Sequence, residues 1–307
     1  MSLPTSTPLV RNREAATRLR AAIELLKPIT WFPPMWAFAC GAVASGASAD
    51  GRIGLVVAGV VLAGPLVCAT SQAVNDWFDR EVDAINEPHR PIPSGRMPGR
   101  WGLYVAVLWT LLSLGAAWAI GPWVLAAAAF GLALAWAYSA PPLRLKRNGW
   151  WGNAACGLCY EGLAWVTGAI VMAGGNLPDG RSLALAALYS LGAHGIMTLN
   201  DFKSVEGDRR MGIGSLPVRL GEEQAAHMAC WMMAAPQFVV VVLLLSWQAR
   251  GHALAVGALL AVQLLLMRRF VADPHGRATW YSGLGVTLYV AGMLVSAFAL
   301  RAAAQAG

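Results

Sequence analysis

Residues 75–83 read NDWFDREVD and place Asp76, Asp79, Glu81 and Asp83, together with Asn75, directly after a long apolar run. Only Arg80 lies within the stretch to offset them. Carboxylates beside hydrocarbon are costly unless a counter-ion is bound, so this density marks a functional site. At about 100° per residue, Asp76, Asp79 and Asp83 fall within roughly 60° of one another on a helix, with Asn75 one turn from Asp79 and Glu81 pointing elsewhere. Convergent hard oxygens suit Mg²⁺, which keeps waters and binds through a few carboxylates plus substrate phosphates. The competing reading is a solvated acidic helix end.

The next residues favour the metal site. HRPIPSGR, residues 89–96, stiffens a turn with two prolines and a glycine between Arg90 and Arg96, and arginine is the side chain matched to phosphate oxygens. Carboxylates for Mg²⁺ followed by arginines on a rigid loop describe a diphosphate site. A second string, NDFKSVEGDRR at 200–210, supplies Asn200, Asp201, Lys203, Glu206, Asp208, Arg209 and Arg210. Asp201 and Asp208 share a face if the helix continues. Gly207 can end it, and Glu206 can then turn inward. A third group, YSAPPLRLKR, offers Tyr138, Arg144, Lys146 and Arg147. Tyr138 is equally an interfacial aromatic, and the basic residues are equally topology determinants.

The elements that must position these groups are membrane helices. Of 307 residues, 57% are hydrophobic and 13% charged, and the mean hydropathy is +0.53, far from a soluble domain. Apolar runs of roughly 17–25 residues give nine spans, at about 28–48, 53–74, 101–120, 122–139, 151–173, 182–200, 225–248, 252–271 and 279–300. The expected architecture is all-α, a polytopic nine-helix bundle around a central cavity, with residues 1–27 as an amino-terminal arm and 28–307 as one domain. Nineteen of the 23 Lys and Arg residues fall on the amino-terminal side of alternating loops, and only Arg52, Arg181, Arg250 and Arg301 on the other. That places the amino terminus and both acidic motifs in the cytoplasm and the carboxyl terminus across the membrane. The charge is a topology signal, so the formal net charge of +7 does not indicate nucleic acid. The Asn-Asp motifs follow the second and sixth helices, consistent with a parallel repeat of helices 1–4 and 5–8. Pro33-Pro34 and Pro65 predict broken or kinked helix ends.

Five cysteines lie in apolar segments as small hydrophobes, and Cys156 and Cys159, despite their CxxC spacing, read as a helix face. Within the spans, Glu161 and His194 are deep polar residues; each faces either a cavity or an interhelical partner. Trp31, Phe32, Trp36, Trp77 and Phe78 gather near the expected entrance, where they pack as an aromatic belt or stabilise a passing cation. A transporter would carry its acids near the midplane. A CDP-alcohol phosphotransferase would carry a DGxxAR segment, which is absent. A pigment-binding assembly factor without turnover is the remaining rival.

Two Asn-Asp motifs at the ends of helices two and six, the YSAPPLRLKR loop and nine spans resemble the UbiA superfamily of intramembrane prenyltransferases. The strings KPITWFPPMWAF, NDWFDREVDAINEPHRPIPSG and NDFKSVEGDRRMGIGSLPVRLG are most similar to its chlorophyll and bacteriochlorophyll synthase branch, in the purple bacterial form. The resemblance implies Mg²⁺, a geranylgeranyl or phytyl diphosphate donor, and bacteriochlorophyllide esterified at its propionate, with chlorophyllide or another acceptor as alternatives. It also implies a bacterial inner membrane setting and association with other pigment-biosynthesis proteins. By the same resemblance Asp76, Asp79, Asp83, Asp201 and Asp208 act in catalysis, and Asn75, Asn200 and Glu206 join them around metal. Arg90, Tyr138, Arg144, Lys146, Lys203 and Arg209 would hold the diphosphate. Apart from the resemblance, the place of Trp31 near the entrance and the depth of Glu161 and His194 in their spans make these three the expected contacts of the acceptor, His194 for instance as an axial ligand to its central Mg. The second motif departs from the superfamily's DxxxD pattern because position 205 is Val.

Overall fold

A computed structural model describes residues 18–306. Arg11 and Arg13, counted above with the basic arm, lie outside the described residues. Within them the chain is helical, and eight helices are long and apolar enough to cross a membrane: α3 (Ile53–Ile85), α4 (Trp101–Ile120), α5 (Pro122–Ser139), α6 (Gly149–Met172), α7 (Gly180–Asp201), α10 (Glu222–Ser246), α11 (Arg250–Ala272) and α12 (Pro274–Gln305). Residues 18–26 form α1, and α8 (Val205–Arg210) and α9 (Leu216–Leu220) are short connectors.

The expected first span is shorter than its apolar run. Helix α2 covers Phe32–Ala44, 13 residues, or about 20 Å, against about 30 Å of hydrocarbon. Pro33 and Pro34 occupy its first turn, where missing N–H groups cost nothing, and Pro28–Thr30 before it form a separate 3₁₀ turn. The expected count of nine full spans is therefore not confirmed among the described residues. Pro65 sits inside a π-helical segment, Leu62–Cys68, within α3. The wider turn accommodates its ring and missing donor, and the Trp109 indole donates to the Pro65 carbonyl at 3.0 Å.

Packing divides the molecule unequally. The larger core joins α2, α6, α7 and α9 through α12 around Trp165, Tyr189, Phe202, Phe270, Tyr281 and Tyr289. Helix α2 crosses α6 at backbone contact: a Cβ on Gly41 would lie 1.9 Å from the Trp165 carbonyl oxygen, and one on Gly168 2.0 Å from the Phe38 oxygen. Small residues permit such approach where lipid offers no hydrophobic drive. A smaller core seats α1 on α3, burying Ala21, Leu25 and Leu26 against Ala69, Ala73 and Val74. Leu111, Trp118, Phe238 and Leu265 are exposed, as expected of a lipid-facing surface.

Candidate active site

Helix α3 explains the position of the first motif. Its 33 residues span about 50 Å, and its apolar part consumes the ~30 Å core within about 20 residues. Asn75 and the following acids emerge at the membrane boundary while still on a rigid helix. Asp76 is 2% exposed and Asp83 6%, so the spacing argument for a common inward face holds, and Glu81 points out to Arg80 at 3.3 Å.

Four cations converge on this face. Lys27 Nζ lies 2.6 Å from Asp76 Oδ1. Arg90 Nη1 is 2.8 Å from Asp83 Oδ2 and 3.5 Å from Asp76 Oδ1. Lys146 bonds Asp79 Oδ1 directly, with Arg144 Nη2 at 3.6 Å. Burial works against the Arg90 charge, but the carboxylates of Asp76 and Asp83 outweigh it and raise its pKa. Burial pushes the Lys146 ammonium down, opposed by Asp79. Lys27 and Arg144 both adopt left-handed backbone, at φ 46° and 40°, a conformation that side chains with a Cβ rarely hold and that clusters at functional sites.

Sequence reasoning missed Lys27, which stands at the entry to α2, and Asn153, whose amide donates to Asp201 at 3.1 Å and Thr198 at 3.2 Å. The signal for Asn153 was there, an amide inside the apolar run of α6. It also set Arg96 beside Arg90, but the structure turns Arg96 to Glu24 of α1, at 2.5 Å. That clasp lowers the Glu24 pKa through the hydrogen bond from Arg96.

Helical continuity through the second motif is not observed. Helix α7 ends at Asp201, Phe202 caps it, and α8 starts only at Val205. Asp201 closes α7 and Asp208 lies on α8, so the two stand on separate helices on either side of this break. Burial pushes the Asp208 carboxyl up, against a hydrogen bond from Ser204 at 3.0 Å. Glu206 is 65% exposed and pairs with Arg210 at 3.0 Å and Arg209 at 3.5 Å; Asn200 and Lys203 are exposed. The basic loop is tied to this wall by backbone bonds, Gly149 N to Gly214 O at 2.8 Å and Gly214 N to Arg147 O at 3.0 Å. Tyr138, near the end of α5, lines the space below this polar face.

Beneath the polar face runs a cavity of about 270 Å³ between α3, α5 and α6. Asn75, Gln72, Ser71 and Tyr138 form its polar end, and Leu62, Val67, Leu134 and Leu163 are among its apolar walls. Asn75 Nδ2 donates to Ser139 Oγ at 3.3 Å, and Gln72 Nε2 to Tyr160 Oη at 3.1 Å. Trp31, Glu161 and His194 do not line it. The Trp31 indole donates to the Leu26 carbonyl at 2.8 Å. His194 Nε2 is 3.2 Å from the Trp150 carbonyl, with its ring against that indole at 5.5 Å. Glu161 is 3% exposed.

No three His, Cys, Asp or Glu side chains converge into a ready-made metal site among the described residues. The donor chemistry nevertheless fits Mg²⁺: the oxygens are hard, and Asp76 Oδ2 is buried without a hydrogen-bond partner. Two acidic segments, the first carrying four cations, lie above an apolar cavity, an arrangement whose chemistry suits an anion with a hydrocarbon tail.

The chain belongs to the UbiA prenyltransferase family, whose model matches residues 30–289. It is 57% identical to the bacteriochlorophyll synthase 33 kDa chain of Cereibacter sphaeroides, over 92% of this chain and 93% of that one. It is 39% identical to the chloroplastic chlorophyll synthase of Avena sativa, over 90% and 75% respectively. Among solved structures, a UbiA homolog from Archaeoglobus fulgidus bound to DMAPP and Mg²⁺ superposes with a TM-score of 0.69 at 19% identity, covering 92% of this chain and 99% of that one. This is accordingly a multi-pass membrane prenyltransferase.

Proposed function

We propose that the protein esterifies the propionate of bacteriochlorophyllide with geranylgeranyl or phytyl diphosphate and releases diphosphate. The observation that supports it most is the convergence of Lys27, Arg90, Arg144 and Lys146 on Asp76, Asp79 and Asp83 at the polar end of an apolar cavity. Relatives named for bacteriochlorophyll and chlorophyll synthesis support the acceptor.

Asn75, Asp76, Asp79 and Asp83 on one wall, and Asp201 with Asp208 on the other, are the residues that would hold Mg²⁺ with the diphosphate. Bound there, Mg²⁺ supplies Lewis-acid neutralisation of the leaving group. Lys146, Arg144, Arg90 and Lys27 exchange their carboxylate partners for diphosphate oxygens and stabilise the charge that grows as the allylic C–O bond breaks. The acceptor needs no general base, because a propionate with a reference pKa near 4 is already ionised at neutral pH. The apolar cavity holds the tail and keeps water from capturing the cation. Glu206 and Arg209 pair with each other on α8, and Asn200 and Lys203 stand exposed beside it, so these four would serve the second wall from its exposed edge.

The site faces the cytoplasm of a bacterial inner membrane by the distribution of basic residues, and residues 28–307 form the prenyltransferase domain, with α2–α5 and the set α6, α7, α10 and α11 as a parallel repeat. Purified protein incubated with labelled geranylgeranyl diphosphate, Mg²⁺ and bacteriochlorophyllide is expected to form the ester and release diphosphate. Absence of diphosphate release would overturn the reading. Competition between bacteriochlorophyllide and chlorophyllide is expected to favour the former.

A further inference from the structure

Two wide turns and one glycine meet at a single level of the cavity, a waist whose depth below the acidic face bears on which donors fit. Helix α3 widens into a π-helical segment at Leu62–Cys68 and α6 into another at Leu158–Leu163. Both face the cavity, contributing Val67 and Cys68 from one and Cys159, Tyr160 and Leu163 from the other. Cys68 Sγ and Tyr160 Oη approach to 3.7 Å across it. Single wide turns of this kind reshape a helix face without ending the helix.

Opposite both segments, α5 presents Gly131. A Cβ built there would lie 3.0 Å from Leu163 Cδ2 and 3.9 Å from Val67 Cγ1. Three helices thus meet at one point of the cavity wall, where Leu163 packs close on Gly131 and any larger side chain there would push it into the space. Ala127, Ala128 and Ala135 of α5 also line the space with small side chains, and Leu134 is the larger apolar residue among them.

Depth follows from helix rise. Gly131 lies seven residues before Tyr138 and Val67 eight before Asn75, which puts the waist about 10–12 Å below the polar end. The lining continues past it to Gly59, 16 residues before Asn75, or about 24 Å deep. An extended isoprene unit of four carbon–carbon bonds spans roughly 5 Å at ~1.5 Å per bond. Two units therefore end at the waist and four reach the far end.

We propose that Gly131, with Val67 and Leu163, is the position at which this chain reads donor length: the open waist admits the third and fourth isoprene units. The inference rests on the proposed donor class and concerns the cavity itself, so it is tested by binding, apart from turnover. The affinity of purified protein for geranyl and geranylgeranyl diphosphate is measured by calorimetry with Mg²⁺ and no acceptor. Gly131→Leu is expected to weaken geranylgeranyl binding at least tenfold relative to geranyl. Gly131→Ala, which requires Leu163 to move by only a few tenths of an ångström, is expected to give a smaller change of the same sign. Gly131→Leu combined with Leu163→Ala is expected to restore the wild-type ratio. Gly115→Leu, on exposed α4 surface with nothing within 4 Å of a built Cβ, serves as the comparison and is expected to leave the ratio unchanged.

Equal weakening of both donors, or no change in any Gly131 variant, would overturn the proposal. If Gly131→Leu does not fold, the Gly131→Ala ratio decides by the same criterion. Normal donor binding by the wild type without ester formation would count against the proposed reaction while leaving the length-reading position intact.

Discussion

Lys27 Nζ sits 2.6 Å from Asp76 Oδ1, joining the entry of α2 to a carboxylate 49 residues later on α3. The carboxylate is 2% exposed, and its other oxygen has no partner. The lysine reaches it from a left-handed backbone. A cation held by strained backbone against half of a buried carboxylate suits a place where Mg²⁺ and diphosphate exchange partners with the protein.

Lys27→Met is therefore expected to destabilise the ligand-free protein by about 1–3 kcal/mol, because Asp76 keeps only the more distant Arg90. Mg²⁺ with donor should recover most of the loss by binding the folded state. Thermal unfolding in detergent with and without these ligands measures both, and equal deficits in the two conditions would contradict the exchange.

Carboxylates inside and outside the site should separate cleanly. Asp76→Asn and Asp79→Asn are expected to lower kcat by about 10²–10³-fold, the scale of losing one charge-stabilising group, with helix content by circular dichroism unchanged. Glu81→Gln and Glu206→Gln should stay within about threefold, since both side chains face solvent and local arginines.

Metal affinity should depend on the donor. Without three converging ligand side chains among the described residues, the protein alone is expected to bind Mn²⁺ weakly, and a non-hydrolysable donor analogue should tighten binding at least tenfold. Linkage then requires the metal to tighten the analogue by the same factor. Electron paramagnetic resonance titration of free Mn²⁺ reports the first and calorimetry the second. Tight binding without analogue would show a preformed site.

The α2–α6 crossing should tolerate no added carbon. Gly41→Ala and Gly168→Ala each drive a Cβ to within about 2 Å of a backbone oxygen, and are expected to cost about 1–3 kcal/mol. The melting temperature in detergent gives the cost. Gly54→Ala, which meets nothing within 4 Å, should be neutral.

Sequence by itself determined what is local and periodic. The helical repeat put Asp76, Asp79 and Asp83 on one face, the hydrocarbon thickness put them at a membrane boundary, and the segregation of Lys and Arg grouped three loops on one side. Tertiary structure decided what depends on distant partners and on where helices stop. It chose Lys27 for Asp76, Asn153 for Asp201 and Glu24 for Arg96, pairs that no spacing rule connects. It also interrupted the helix at Phe202–Ser204, which put Asp201 and Asp208 on separate helices and left Glu206 exposed beside Arg209 and Arg210. The first apolar run shortened to Phe32–Ala44 because paired prolines fix where a helix begins and hydropathy does not. At Asn75 to Asp83 the period of one helix was enough to find half of the site. The other half, and the cavity below it, came from three helices packing around two wide turns and a glycine.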